Sequence, residues 1–198
     1  MDVLFSTPIR LIDRSNPERV IVHSQSGQTF VGRTAVCTIP LNVLQEIEFR
    51  PPLQEEKQRV VNEGQCRGGT KFSVKLEKPV GCWYCLAPYP NPISQGFSDD
   101  AEGSILVLFG PDGLMDFRDI HAVERELAKF IPDVKVKYVI GHDWRTDPYV
   151  RGTWSWFRPG QVSSNMAALQ QNEPPLFFAS SDISNGWRGF IDGAFAVA

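Results

Sequence analysis

Cys82-Trp83-Tyr84-Cys85 carries the C-x-x-C spacing used by redox thiols and by zinc sites. A structural zinc needs four ligands. No second C-x-x-C follows, and His23, His121 and His142 are scattered without ligand spacing, so no metal site is expected. Glycines crowd the run Gly64-Gln65-Cys66-Arg67-Gly68-Gly69, but a phosphate-cradling loop follows a strand and opens a helix. Here no strand precedes and a strand comes after, so the run reads as a turn. The chain shows no serine nucleophile elbow, paired-carboxylate signature, P-loop or G-x-G-x-x-G. Its last third is more informative. His142-Asp143-Trp144-Arg145-Thr146-Asp147-Pro148-Tyr149 leads into Gly152-Thr153-Trp154-Ser155-Trp156, and Gly186-Trp187-Arg188-Gly189-Phe190-Ile191-Asp192-Gly193-Ala194 closes the sequence. By periodicity alone, Trp144, Trp154, Trp156, Trp187 and Phe190 are core aromatics. Read for chemistry, they wall a flat site for a planar ring system. The glycine-flanked helix start would then aim free N–H groups at an electron-rich atom.

The elements that must position these residues are short and mixed. Val20–His23 and Thr29–Val31 read as a hairpin turning at Gly27-Gln28, and Ala35–Ile39 as a buried strand stopped by Pro40. Leu41–Leu44 holds one helical turn, and Glu55–Val61 suits a short exposed helix after Pro51-Pro52. From Thr70 to Leu76, Phe72, Val74 and Leu76 take one face of a strand, and Lys71, Ser73 and Lys75 the other. Ser104–Phe109 is an apolar strand. Ile120, Val123, Leu127 and Phe130 fall at helical spacing within Phe117–Phe130, before Pro132. Val134, Val136, Tyr138 and Ile140 alternate as a strand, Leu176–Ala179 is a final buried strand, and a helix follows Gly189. Residues 87–103, rich in Pro, Asn, Ser and Gly, read as a surface loop. The pattern is α+β, a mixed sheet with helices, in one domain or two small ones.

Composition narrows the class. The 198 residues carry 20 Lys+Arg against 23 Asp+Glu, a net charge of −3, with 42% hydrophobic residues. That supplies a core and excludes a disordered tail or a strongly basic nucleic-acid binder. No apolar run approaches the ~20 residues of a membrane span. The opening residues lack a basic segment followed by an apolar one, so no signal peptide and a cytoplasmic location are expected.

The segments Val36-Cys37-Thr38-Ile39-Pro40-Leu41 and Phe49-Arg50-Pro51-Pro52-Leu53, together with Leu176–Ala194, resemble the C-terminal part of the flavin-containing monoamine oxidase family. The last stretch carries the family's order most specifically: an apolar strand, a small residue, an acid, Trp-x-Gly-aromatic and a Gly-Ala helix start. The resemblance implies a substrate-binding domain plus the late strands and final helix of an FAD-binding domain. Residues 1–53 would give partial FAD-domain strands, 54–145 the substrate domain, and 146–198 the flavin-site segment. Trp154 and Phe190 stand where the family faces two aromatics before the flavin. An apolar cage of that kind favours the neutral amine over the ammonium. Both positions commonly hold Tyr in the family, so the box keeps its rings and loses its hydroxyls.

Lys71 matches the lysine that holds a water against flavin N5 and is linked to reoxidation. Trp144 matches a tryptophan packed near the flavin. Asp182, Trp187, Gly189 and Ile191 fall in the segment lining the cofactor, and Ile9 where backbone meets the adenine. Thr153 replaces the cysteine that some members bond to the flavin, so FAD would be non-covalent. The family's G-x-G-x-x-G unit has no counterpart here, which makes the chain a truncated or partial member in expectation.

The resemblance thus implies an FAD-dependent amine oxidase that turns an amine into an imine and then an aldehyde, reducing O2 to H2O2. Its partners would be a small-molecule amine and either a second copy or a separate N-terminal half, with no nucleic acid. Two alternatives stay open. One is a non-catalytic remnant acting as an interaction module. The other is a flavin oxidase acting on a polyamine, an amino acid or a pathway intermediate, with Arg151, Arg158 or Arg188 as candidate carboxylate clamps.

Overall fold

The computed structural model describes residues 2–197. In chain order its elements begin with β1 (Ile9–Asp13), β2 (Val20–Ser24), β3 (Thr29–Gly32), β4 (Ala35–Cys37), α1 (Leu41–Leu44), β5 (Glu48–Arg50), α2 (Glu55–Glu63) and β6 (Thr70–Leu76). They continue with β7 (Tyr84–Leu86), β8 (Gln95–Ser98), β9 (Ile105–Gly110), α3 (Ile120–Leu127), β10 (Val136–Gly141), α4 (Gln161–Gln170) and β11 (Leu176–Phe178). A single 3-10 turn over Ser181–Ile183 and α5 (Ile191–Ala196) close the chain. The class is α+β. Two compact units form: one runs to Cys66 and takes in Pro148–Val150 and the chain from Ser155, the other holds Arg67–Asp147 and Arg151–Trp154.

In the first unit the expected hairpin forms between β2 and β3, with Gly27 at φ 89° in its turn. Strand order is β3-β2-β1-β5, β5 lying parallel to β1, while β4 and β11 pair parallel as a separate ribbon. Ile12, Val20, Leu44, Phe49, Val60, Val61, Leu169 and Leu176 gather in the interior. β4 is shorter than the buried strand expected over Ala35–Ile39. With one neighbouring strand it buries Cys37 and leaves Val36 exposed.

The helix expected to be exposed, α2, turns Lys57, Val60 and Val61 inward at i, i+3 and i+4. The Lys57 ammonium donates to the carbonyls of Leu169 (3.4 Å) and Gln171 and lies 3.9 Å from the Glu173 carboxylate. Glu173 also accepts from the buried Arg14 guanidinium. Burial pulls the Lys57 pKa down to about 8 despite the attraction of Glu173.

α4 has no counterpart in the sequence reading, because part of its buried face is polar. Gln161 donates to the Glu63 carboxylate (2.7 Å) and to the Gly64 carbonyl (3.1 Å), and Asn165 donates to Glu63 (3.0 Å). Those bonds hold the Glu63 carboxyl below its usual range.

The second unit is a five-stranded antiparallel sheet in the order β10-β6-β9-β8-β7. Phe72, Val74 and Leu76 point into its core with Leu106, Leu108, Val123 and Leu127, as strand parity requires. α3 is shorter than its apolar pattern. The Asp119 carboxylate accepts from the N–H groups of His121 (3.0 Å) and Ala122 (3.2 Å) and fixes its start. In β10 the register slips between Val136 and Tyr138. That bulge turns Val139 inward and leaves Tyr138 and Ile140, expected on the buried face, exposed.

The stretch read as a surface loop contains β8 and the fully buried Ile93. Of the C-x-x-C pair, Cys82 is exposed and Cys85 is buried in β7, both as free thiols. Among the described residues, no group of three His, Cys, Asp or Glu side chains could hold a metal ion. No helix among them is long and apolar enough to cross a membrane.

Candidate functional site

In the second unit the chemistry-bearing residues collect on the face of β6 opposite its core. Lys71 is exposed there and pairs with Phe109 of β9. Its Nζ lies 5.7 Å from the centroid of the Phe109 ring, within reach of a cation–π attraction. Phe109 stacks on Trp154 with centroids 6.1 Å apart and planes at 29°, and it leans on Phe97 at 5.9 Å.

Trp154 has room because residue 69 is glycine. A Cβ there would come within 2.0 Å of the Trp154 Cζ3, and Gly69 itself takes φ 108°. Thr153 donates its hydroxyl to the Gly69 carbonyl at 2.7 Å, pinning the same crossing. Trp144 sits a turn away, edge-on to His142 at 4.4 Å, and its carbonyl accepts from the Gly152 N–H (3.1 Å). His142 in turn meets Asp147 at 2.8 Å.

A cleft of about 360 Å3 lies in this unit, lined by Thr70, Asp112, Asp116, Phe117, Asp143 and Arg145, among others. Arg145 meets Asp112 (2.6 Å) and Asp143 (3.7 Å), and Arg118 meets Asp116 (2.9 Å), which leaves one carboxylate in excess. It is therefore a polar, ion-paired surface, unlike the aromatic face carrying Lys71.

In the first unit the candidate residues follow one another along residues 180–193. The Ser180 hydroxyl accepts from the Asp182 N–H (3.2 Å) and sets the 3-10 turn. The Asp182 carboxylate accepts from the Leu41 N–H and from Gln65 Nε2, each at 3.4 Å. Gly189 takes φ 79° and donates its N–H to the Ser181 carbonyl (3.1 Å). Gly193 lies against the Trp187 turn, where a Cβ would meet the Trp187 carbonyl at 2.3 Å.

The consequence is a displayed apolar surface. Trp187, Phe190 and Ile191 are 71%, 62% and 78% exposed, with Trp187 edge-on to Phe190 at 6.0 Å. The expectation of core aromatics therefore fails for these two rings and for Trp144 and Trp156, all exposed; Trp154 alone is half-buried. A fixed turn flanked by Gly189 and Gly193 turns the side chains outward. Ile9 is half-buried in β1 against the first unit's core. Phe109 and Gly69, which seat Trp154, escaped sequence reasoning. Only the β6–β9 register and the positive φ of Gly69 reveal them.

The sequence profile of the family described as flavin containing amine oxidoreductase matches residues 1–197. A pseudooxynicotine dehydrogenase from a Pseudomonas species is 36% identical over 98% of this chain and 40% of its own length. A nicotine dehydrogenase from Pseudomonas putida is 30% identical, again over 98% of this chain and 40% of its own. An (S)-6-hydroxynicotine oxidase from Paenarthrobacter nicotinovorans is 28% identical over all of this chain and 46% of its own. The chain thus spans less than half the length of these relatives. Among solved structures, an engineered putrescine oxidase superposes with a TM-score of 0.80 at 18% identity, covering 96% of this chain and 46% of that one. That likeness establishes the fold.

Proposed function

Because the chain belongs to the flavin-containing amine oxidoreductases, matched over residues 1–197, we propose that it forms the substrate-facing part of an FAD-dependent oxidase acting on a small amine. The observation that supports this most is the aromatic face of β6 and β9, where Lys71 and Trp154 share one partner ring. The names of its relatives point to an amine attached to a flat heteroaromatic ring, as in nicotine.

The residues fit a flavin in kind. Trp187, Phe190 and Ile191 offer an exposed apolar surface for a planar ring system, and the first N–H groups of α5 have no acceptor within the helix. In this reading Asp182, Gly189 and Ile9 complete the first unit's set of cofactor-holding residues, and Trp144 is the second unit's contribution. The Thr153 hydroxyl is engaged with the Gly69 carbonyl and cannot form a thioether, so the cofactor is held without a covalent bond.

A bound flavin would supply a two-electron acceptor for the hydride of the amine's α-carbon, with O2, which would leave as H2O2 after taking up the electron pair and two protons, as the final oxidant in this reading. The chain's own residues prepare that transfer. In this reading Trp154 and Phe190 each present an apolar ring that excludes water and disfavours the charged ammonium, so the neutral amine, whose lone pair assists hydride loss, is the form bound. The Lys71 ammonium, with three donors, holds a water for the reoxidation step. The imine product is released to water and hydrolyses to aldehyde and amine or ammonia.

The first test is the visible spectrum of the purified chain after loading with FAD and removal of the excess. A retained flavin spectrum, bleached by nicotine-type amines with peroxide produced in air, supports the reading. A colourless chain overturns cofactor binding by this portion alone. Bleaching without peroxide replaces O2 by another electron acceptor.

A further inference from the structure

Phe109 belongs to no motif, yet it touches both residues of the second unit to which the proposed reaction gives work. It pairs with Lys71 across the β6–β9 ladder, lies 5.7 Å below the Lys71 Nζ and stacks on Trp154 at 6.1 Å. Its own place is fixed, because β9 is the central strand of five and Phe97 braces the ring at 5.9 Å. The two residues it touches gain from that: Lys71 has four side-chain torsions, and Trp154 lies outside any helix or strand, so a fixed ring against each narrows the rotamers it can take. The bare Cα of Gly69, 2.0 Å from the Trp154 Cζ3 if it bore a Cβ, leaves the space the indole occupies.

We propose that Phe109 is the positioning residue of the amine site: its ring fixes the plane of Trp154 and holds the Lys71 ammonium over its own face, with Gly69 as the floor of the seat. The inference rests on the roles given above to Trp154 and Lys71, and goes beyond them in naming what holds both. A rigid strand lends its geometry to two side chains from outside it, as a preorganised site requires.

Near-ultraviolet circular dichroism of the chain itself, in wild type, Phe109→Leu, Trp154→Phe and the double variant, tests the Trp154 arm. Phe109→Leu should remove most of the signal that Trp154→Phe removes, and the double variant should lose no more than Trp154→Phe alone. The Lys71 ε-methylene NMR resonance, assigned through Lys71→Met, should move toward those of the other lysines in Phe109→Leu. Phe109→Tyr, which keeps the ring, should restore both signals. Additive dichroism changes together with an unmoved Lys71 resonance would overturn the proposal. Should Phe109→Leu fail to fold, Phe109→Met, whose unbranched and adaptable side chain fills irregular gaps without a ring, carries the same comparison.

In a preparation that oxidises amines, Phe109→Leu should slow flavin reduction about tenfold and Phe109→Tyr should stay within about twofold of wild type. Spectroscopic coupling without amine turnover would remove the function proposed above and leave the seat standing. Turnover without coupling would overturn the seat alone.

Discussion

Trp154 and Phe190 bring aromatic rings to one proposed reaction from unlike surroundings. Trp154 is half-buried, stacked on Phe109 and fitted against the bare Cα of Gly69. Phe190 stands 62% exposed at the start of a six-residue helix, with Trp187 edge-on as its aromatic neighbour. The second unit seats its candidate ring against a sheet. The first unit fixes a backbone turn through Gly189 and Gly193 and leaves the rings to be covered. Site geometry on a sheet is set by folding, whereas geometry displayed on a turn is set by what binds there.

Activity should separate the two first. Trp154→Ala is expected to lower kcat/KM for amine oxidation about 100-fold in a flavin-loaded form, because an unpositioned amine loses its near-attack geometry. Unchanged kcat/KM would remove Trp154 from the site.

The interiors of the two units offer a second contrast. Hydrocarbon and aromatic side chains fill the second, while the first buries Arg14, Lys57 and Glu173 together. Since burial lowers Lys57 from 10.5 to about 8, the folded chain gives up a proton that the unfolded chain keeps between those pH values. Stability should therefore rise from about pH 8 toward 10.5, by on the order of 3 kcal/mol. Urea midpoints of wild type and Lys57→Met across that window test this, because the variant should lack the rise. Parallel curves would mean that Lys57 keeps its proton in the fold.

Under the role proposed for its ammonium in the second half-reaction, Lys71→Met should slow flavin reoxidation about tenfold while leaving reduction nearly unchanged. Stopped-flow traces showing equal slowing of both would count against the assignment. The smallest effect belongs to the displayed surface: Trp187→Ala should change the unfolding free energy of the chain by less than about 0.5 kcal/mol. A loss of about 2 kcal/mol or more, of the order expected for a packed aromatic, would erase the distinction drawn between the displayed surface and the ring seated on the sheet, about 3 kcal/mol being typical of the latter.

What the sequence makes legible follows locality. The parity of Thr70–Leu76 puts Phe72, Val74 and Leu76 inside and Lys71 outside, and the structure agrees. Parity misleads in β10, where a bulge between Val136 and Tyr138 reverses the faces, because a one-residue slip has no signature in composition. β8 hides in a Gly- and Ser-rich stretch for a packing reason. A Cβ at Gly96 would meet Leu108 at 2.6 Å and Trp83 at 2.8 Å, so the glycine that reads as loop is what lets the strand pair. α4 is obscured by Gln161 and Asn165, polar side chains whose burial depends on the distant Glu63. Phe109 is obscured in the same manner, since its value lies in a register between strands more than thirty residues apart.

The division of the chain into a unit that begins, stops at Cys66 and resumes near Pro148 bears on how the protein folds. The first unit cannot close its parallel pair of β4 with β11 until both ends of the intervening stretch come together. A loop of about 80 disordered residues would make that closure entropically costly. The antiparallel sheet between those ends pairs neighbouring strands through shorter separations, so it can form first and bring the flanking segments near one another. On that order of events the insert acts as a folding splint. Mutations in its core would then slow assembly of the β4–β11 ribbon in the other unit.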